Sequence, residues 1–176
     1  MIDMYKYTDK DIKELLKSMT IICDTREQEN SWVTDYFKSK KIPYISEKLD
    51  FGDYSAMLPA NSEFSIPRNI YFDKKIVIER KNSLEELSGT ISTRDRFESE
   101  LLRAKDKKFI LMVEEPQGYE KIINHKYKTD YNEKAFLATI FTFQHRYGMD
   151  INFIDKKYSG LFIYQQLYYF CREYFK

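Results

Sequence analysis

The sequence predicts an α/β fold: a mixed central sheet flanked by helices on both faces. Three observations lead there. Short apolar runs that read as strands alternate with segments of helical period. The early strand runs lie close together, as in a three-strand meander, whereas the later ones are separated by helices long enough to cross over. Phe109–Val113 is a continuous apolar run between charged flanks, the pattern of a strand buried on both faces.

Each element has its own reason. Thr8, Asp9 and Asp11 place a capping residue and first-turn acids before Ile12, Leu15, Leu16 and Met19, which predicts a short amphipathic helix. Thr20–Cys23 is a brief apolar strand with Asp24 at its tip. Trp32 to Lys40 is helical, with Trp32, Val33, Tyr36 and Phe37 on one face. Strands are expected over Pro43–Lys48, Tyr54–Leu58 and Lys75–Ile78. The stretch 59–73 carries two prolines and several turn formers, so it reads as an insertion in a hairpin. Ser83 with Glu86 fits a capping box for one helix, and a second starts near Ser92 or Thr93 and turns Phe97, Leu101 and Ala104 inward. Gln117–Asp130 is a polar loop with a turn of helix. Asn132–Tyr147 is a helix stopped by Gly148, Ile151–Ile154 a last strand, and Ser159 caps a helix running to about Tyr174.

Composition narrows the function less than the fold. The 176 residues suit one domain, 1–176, which at this size buries about 70% of its unfolded surface. A net charge of +1 leaves nucleic acid open as a partner, since binding needs a local basic patch and not a basic total. Two cysteines, Cys23 and Cys171, sit in apolar contexts, so neither a disulfide framework nor a zinc pattern is present. No apolar run nears the roughly 20 residues of a membrane span, and Met1–Lys6 lacks the layout of a signal peptide. A cytoplasmic protein without membrane contact is expected.

The chemistry lies where the chain leaves apolar strands. Asp24 ends the first strand and Glu27 follows it. Asp53 follows Gly52 and opens another strand. Glu79 closes Ile76-Val77-Ile78, with Lys81 two residues beyond. Side chains alternate along a strand, so Glu79 and Lys81 share a face and Arg80 points the other way. Acids gathered at strand ends repel one another and lose hydration, and a divalent cation resolves both problems. Hard oxygen ligands suit Mg²⁺ or Mn²⁺. Two acids plus a Glu-x-Lys pair across a hairpin is the PD-(D/E)xK nuclease pattern, found in restriction-endonuclease-like folds.

The local wording is more specific. Asp24-Thr25-Arg26-Glu27, then Gly52-Asp53-Tyr54, then Val77-Ile78-Glu79-Arg80-Lys81-Asn82-Ser83 closely resembles the nuclease domain of the XPF/Hef family, structure-specific endonucleases that cut branched DNA. The resemblance runs from about Ile21 to Val113 and takes in Ile91–Phe97. It implies that Asp53 and Glu79 bind metal, with Asp24 and Glu27 completing or supporting the site. It gives Asp24, Asp53, Glu79 and Lys81 catalytic roles, Lys81 serving the attacking water. It makes Arg26, Arg80, Arg94 and Arg96 candidates for DNA contact, with Arg80 alternatively bracing the backbone. Three departures stand out. The motif's final Asp is Glu85. The gap from Asp53 to Glu79 is 26 residues, lengthened by 59–73. With the sequence ending at Lys176, the helix-hairpin-helix module of family members is not expected, and the resemblance is to compact bacterial or phage forms.

Taken singly, these features have plainer readings. Asp24 could be a surface acid, Asp53 a turn aspartate, and Glu79-Arg80-Lys81 a solvated charge run; it is their combination that points to a nuclease. Glu85 and Glu86 suit a helix start. The lysine runs at 38–41 and 105–108 read as solvated ends of helices, and His125 and His145 as structural or surface residues. In the last helix Leu161, Tyr164, Tyr168 and Cys171 form one apolar stripe, and Phe162, Ile163, Leu167 and Phe170 another. A helix apolar on both sides needs cover on both, so 158–176 is a candidate dimerisation helix and a homodimer is expected. Two other functions fit the same chain: a non-catalytic DNA-binding or dimerisation subunit, and a protein that binds a partner through this helix. Degenerate subunits lose acids, and here Asp24, Asp53, Glu79 and Lys81 are all present.

Overall fold

A seven-stranded mixed sheet forms the spine of the molecule, seen in a computed structural model that describes residues 7–176. Met1–Lys6, read above as lacking a signal-peptide layout, lie outside the described residues. In chain order the elements are α1 (Asp9–Leu15), β1 (Thr20–Cys23), α2 (Ser31–Ser39), β2 (Tyr44–Ser46), β3 (Tyr54–Leu58), β4 (Ile70–Tyr71), β5 (Ile76–Lys81), α3 (Leu84–Ser92), α4 (Arg94–Arg103), β6 (Lys108–Val113), α5 (Gly118–Ile123), α6 (Glu133–Tyr147), β7 (Asp150–Phe153) and α7 (Ser159–Tyr174). Among these helices none is long and apolar enough to cross a membrane.

The strands lie in the order β2-β1-β3-β5-β6-β7, with β4 paired to β3. The antiparallel part is β1-β3-β5, and β2 is not inside it. A crossover through α2 carries β2 to the outer edge of β1, where it pairs in parallel, as a helical connection requires. The meander expected from consecutive strand runs is thus interrupted by one crossover. Beyond β5, β6 and β7 add in parallel through helical connections.

Alternation within the strands divides the core in two. Ile76, Ile78, Ile110 and Met112 face a layer made by α1, α2 and α7. Val77, Phe109, Leu111 and Val113 face α3, α4, α5 and α6. Each fully buried Leu, Ile or Phe here contributes roughly 1.5–3 kcal/mol through its removal from water. This is the mixed sheet with helices on both faces expected above.

Local chemistry accounts for the helix ends. Thr8 and Asp11 close a reciprocal capping box on α1. Ser83 accepts from Glu86 N at 3.1 Å to cap α3, but the Glu86 carboxylate reaches one residue further back than expected, to Asn82 N. Asn132 caps α6, and Gly148 ends it in the left-handed conformation, φ +66°. Two expectations for α7 change. Ser159 is its first residue, not its cap, and its hydroxyl turns inward to Glu114. The inward stripe is Gly160, Ile163, Leu167 and Cys171, which draws on both predicted stripes, because the helix rests on its face toward α2 and the sheet. The 59–73 insertion is also more ordered than a plain loop. It contains β4 and buries Phe72 against Phe170, Tyr174 and Phe175 of the C-terminal region.

The polar stretch after α5 is fastened by His125. Its Nδ1 lies 3.0 Å from a Glu133 carboxylate oxygen and its Nε2 lies 3.0 Å from the Thr129 carbonyl. Both partners only accept hydrogen bonds, so the geometry favours the cationic ring, in which both nitrogens donate. The Glu133 carboxylate, then the Thr129 carbonyl, holds the imidazole above its ordinary titration range. A raised folded-state value means that this support is complete below the unfolded histidine value and fades as pH rises through the folded one. An NMR titration is expected to place the His125 midpoint above the ordinary histidine value, and Glu133→Gln to lower it. A Glu133→Gln midpoint equal to wild type would show that the carboxylate does not hold the proton.

Candidate active site

Three acidic residues take neighbouring backbone positions because three strands continue their ladder one step past their ends. Cys23 pairs with Tyr54, and Tyr54 with Ile78. The next backbone bonds run from Asp24 N to Asp53 O and from Asp53 N to Ile78 O, both at 2.8 Å. Asp24, Asp53 and Glu79 therefore stand side by side across β1, β3 and β5. Glu79 does not close its strand, as the apolar run suggested. β5 extends through Lys81, because the neighbouring β6 pairs with Glu79, Arg80 and Lys81.

Gly52 makes the approach to Asp53 possible. Its φ is +75°, and a Cβ there would lie 2.8 Å from the Val77 Cβ. Gly52→Ala is expected to lose at least about 1–3 kcal/mol to backbone strain alone, and to shift Asp53. Thermal unfolding and Asp53-dependent activity, measured together, test this; a variant as stable as wild type would refute it.

The predicted ligands divide by environment. The Asp53 carboxylate takes one strong hydrogen bond, from Arg80 N at 2.7 Å. Burial pushes this carboxyl well above the usual range, and the charges of Glu79 and Glu27 push it further. Burial likewise raises Glu79, against the opposing charge of Lys81, whose Nζ lies 2.8 Å from Glu79 Oε1. For Lys81, burial works against the charge, but Glu79 outweighs it and holds the ammonium above its ordinary value. Glu100 and Glu86 add further negative charge near Glu79.

Asp24 lies next to this pair but is otherwise engaged. One oxygen accepts from Arg26 N and Arg26 Nε, and the other from Leu49 N and Arg26 Nη2. Burial alone would raise its carboxyl, and these donors more than reverse that. Glu27 is on the other side of the sheet, where its two oxygens take Arg80 Nε and Nη2 at 2.8 and 2.6 Å. The four expected metal acids are thus an adjacent pair, Asp53 and Glu79, with Asp24 clamped beside them and Glu27 behind. Among the described residues, no three His, Cys, Asp or Glu side chains stand together in a group that could hold a metal ion.

The arginines also separate. Arg26, Arg94 and Arg96 have side chains 64%, 48% and 86% exposed, the last two paired along their helix with Glu98 and Glu100. Arg80 faces inward. Its side chain is 8% exposed, gripped by Glu27 and Glu114, and its guanidinium lies 5.0 Å from the Trp32 ring. Glu85, which replaces the motif's last acid, accepts from Lys128 N and secures the stretch after α5.

Glu114 escaped the sequence reading. It ends the apolar run 109–113 just as Asp24 ends the first strand, so the same signal was present.

The ERCC4 domain profile matches residues 23–165. The chain belongs to that family. The match supports an XPF/Hef-type nuclease domain, as the Gly-Asp and Glu-Arg-Lys words imply. Among curated proteins none matches this chain in sequence. Two solved structures are similar: XPF from Aeropyrum pernix, 22% identical with a TM-score of 0.58 over 84% of this chain, and XPF from the same organism in complex with DNA, 22% identical with a TM-score of 0.60 over 88%. At that identity they share the fold. This chain spans 59% and 65% of the lengths of those two chains.

Proposed function

We propose that this member of the family is a divalent-metal-dependent DNA endonuclease, acting at branched or flapped DNA. The observation that carries the reading is Asp53 beside Glu79 on the same face as Lys81: burial opposes the ionisation of both carboxyls, and the charge of Glu79 opposes that of Asp53 further. A cation would relieve that repulsion. Their chemistry fits Mg²⁺ or Mn²⁺, which are often held by only one or two carboxylates, with waters and substrate phosphate oxygens filling the other positions. When bound, such an ion would activate water and offset charge on the scissile phosphate.

The chain's own residues would do the rest. Asp53, fixed by Arg80 N, and Glu79 would hold the ion. Lys81, whose Nζ lies 2.8 Å from Glu79 Oε1, would orient the water and offset developing negative charge. Asp24 could join the ion only if Arg26 let go, and a DNA phosphate offers Arg26 a replacement partner. Glu27 would support the site through Arg80. The exposed Arg26, Arg94 and Arg96 would contact phosphates. DNA as substrate is supported by the fold shared with an XPF solved in complex with DNA.

The test incubates the protein with flap, fork, Holliday and linear DNA plus Mg²⁺ or Mn²⁺, beside Asp53→Ala and Glu79→Ala. Cleavage of branched substrates by wild type alone is expected. No cleavage of any substrate by the wild type rejects the enzyme; cleavage that survives both substitutions rejects the site. The homodimer proposal rests on the remaining aromatic surface of α7, where Tyr169 and Tyr174 are about half exposed, and on Tyr158 just before it. Sedimentation at rising concentration is expected to show a dimer that Tyr169→Glu weakens; a wild-type monomer throughout rejects it.

A further inference from the structure

Behind the acidic pair, on the opposite face of the sheet, lies a second polar cluster. Glu114 sits at its centre, with a side chain 0% exposed. One carboxylate oxygen accepts from Trp32 Nε1 at 2.9 Å and from the Ser159 hydroxyl at 2.6 Å. The other accepts from Arg80 Nη1 at 3.3 Å. Three elements from separate parts of the chain, α2, α7 and β5, thus converge on one buried carboxylate at the end of β6. The Glu114 amide also donates to the Lys81 carbonyl. Arg80 is held on its other edge by Glu27 and by the Glu29 carbonyl.

The consequence for the acidic pair runs through a single residue. The Arg80 side chain is fastened on one face of the sheet, while its backbone N–H points to the Asp53 carboxylate. A strand residue cannot shift its backbone without dragging its side chain, and here the side chain is tied by charge-assisted bonds. Two carboxylates share one guanidinium, so Glu114 is not required for charge balance alone. Its extra contribution is geometric: it stops Arg80 from pivoting about Glu27 and links that stop to the packed helices α2 and α7.

We infer that Glu114 is a positioning residue for the acidic pair, setting the place of Asp53 by locking Arg80 against α2 and α7. This rests on the nuclease reading for its kinetic consequence, but not for its structural one. Outer-shell partners of this sort typically change activity or metal affinity about 10–100-fold when removed.

The test uses the full chain and two readouts. Glu114→Gln keeps an oxygen for Trp32 and Ser159 but removes the charge that meets Arg80. Hydrogen exchange of the Arg80 amide is expected to speed up about tenfold or more, while amides of β7 keep their wild-type protection. In cleavage assays kcat is expected to fall about 10–100-fold with KM unchanged. Trp32→Phe, which loses one donor to Glu114 and keeps an aromatic ring, is expected to show a smaller change of the same kind and guards against a Gln variant that fails to fold. Unchanged Arg80 exchange in folded Glu114→Gln overturns the inference. So does a uniform rise in exchange across the sheet, which would mark plain loss of stability. If Arg80 loosens as expected but wild type cuts no DNA, the positioning stands and the nuclease reading falls.

Discussion

Asp53→Asn is expected to remove DNA cleavage and yet raise the stability of the metal-free protein. The first effect follows from the chemistry of the proposed ion. A metal stabilises several kcal/mol of charge in a phosphoryl-transfer transition state, and each ~1.4 kcal/mol is tenfold in rate, so the loss should be about 10³-fold or more. The second follows from burial. Asp53 takes its ordinary value when unfolded, but burial and the charges of Glu79 and Glu27 hold its folded value well above that. Between the two values the folded protein binds more protons than the unfolded one, and stability falls as pH rises. Asparagine removes this dependence while its oxygen can still accept from Arg80 N. The gap in Tm between variant and wild type, in chelator, should therefore widen in favour of the variant as pH climbs past the carboxylate range. Adding Mn²⁺ should narrow it by stabilising wild type only. A variant less stable than wild type at every pH, with no response of wild type to metal, would falsify the idea that Asp53 is an acid held for a cation.

Arg80→Ala should give the largest loss of stability of any single change considered. It leaves Glu27 and Glu114, with side chains 9% and 0% exposed, without their shared cation. Breaking a buried ion pair by removing one partner typically costs about 3–5 kcal/mol. For a chain of this length that corresponds to roughly 6–20 °C in Tm. Arg80→Lys should recover little, because a single ammonium cannot span two carboxylates, the Glu29 carbonyl and the Trp32 face at once. Thermal unfolding of the three proteins measures this. A lysine variant that matches wild type would show that charge alone matters here, and that the forked geometry does not.

These two residues also mark where the sequence stops being informative. The Glu-x-Lys spacing put Glu79 and Lys81 on one face and Arg80 on the other, since period two is a local property of any strand. What Arg80 meets on its face is not local. Glu27 and Glu114 are far from it in the chain, and only the parallel pairing of β5 with β6, plus the packing of α2 and α7, brings them there. Glu114 had the same signature as Asp24, an acid ending an apolar run, but nothing in the chain says which face of the sheet such an acid will use.

The Gly-Asp and Glu-Arg-Lys words, the apolar runs and the capping residues by themselves determined the layered α/β fold, the family and the set of candidate acids. Each of these depends on neighbours within a few residues or on a motif written whole. The tertiary structure alone decided how the candidate ligands divide. It left Asp53 and Glu79 together, turned Asp24 to Arg26, and placed Glu27 behind the sheet with Arg80. The physical reason is that a carboxylate takes whichever donor or cation the fold delivers to it, and delivery over such distances is set by register and packing, which no local pattern encodes.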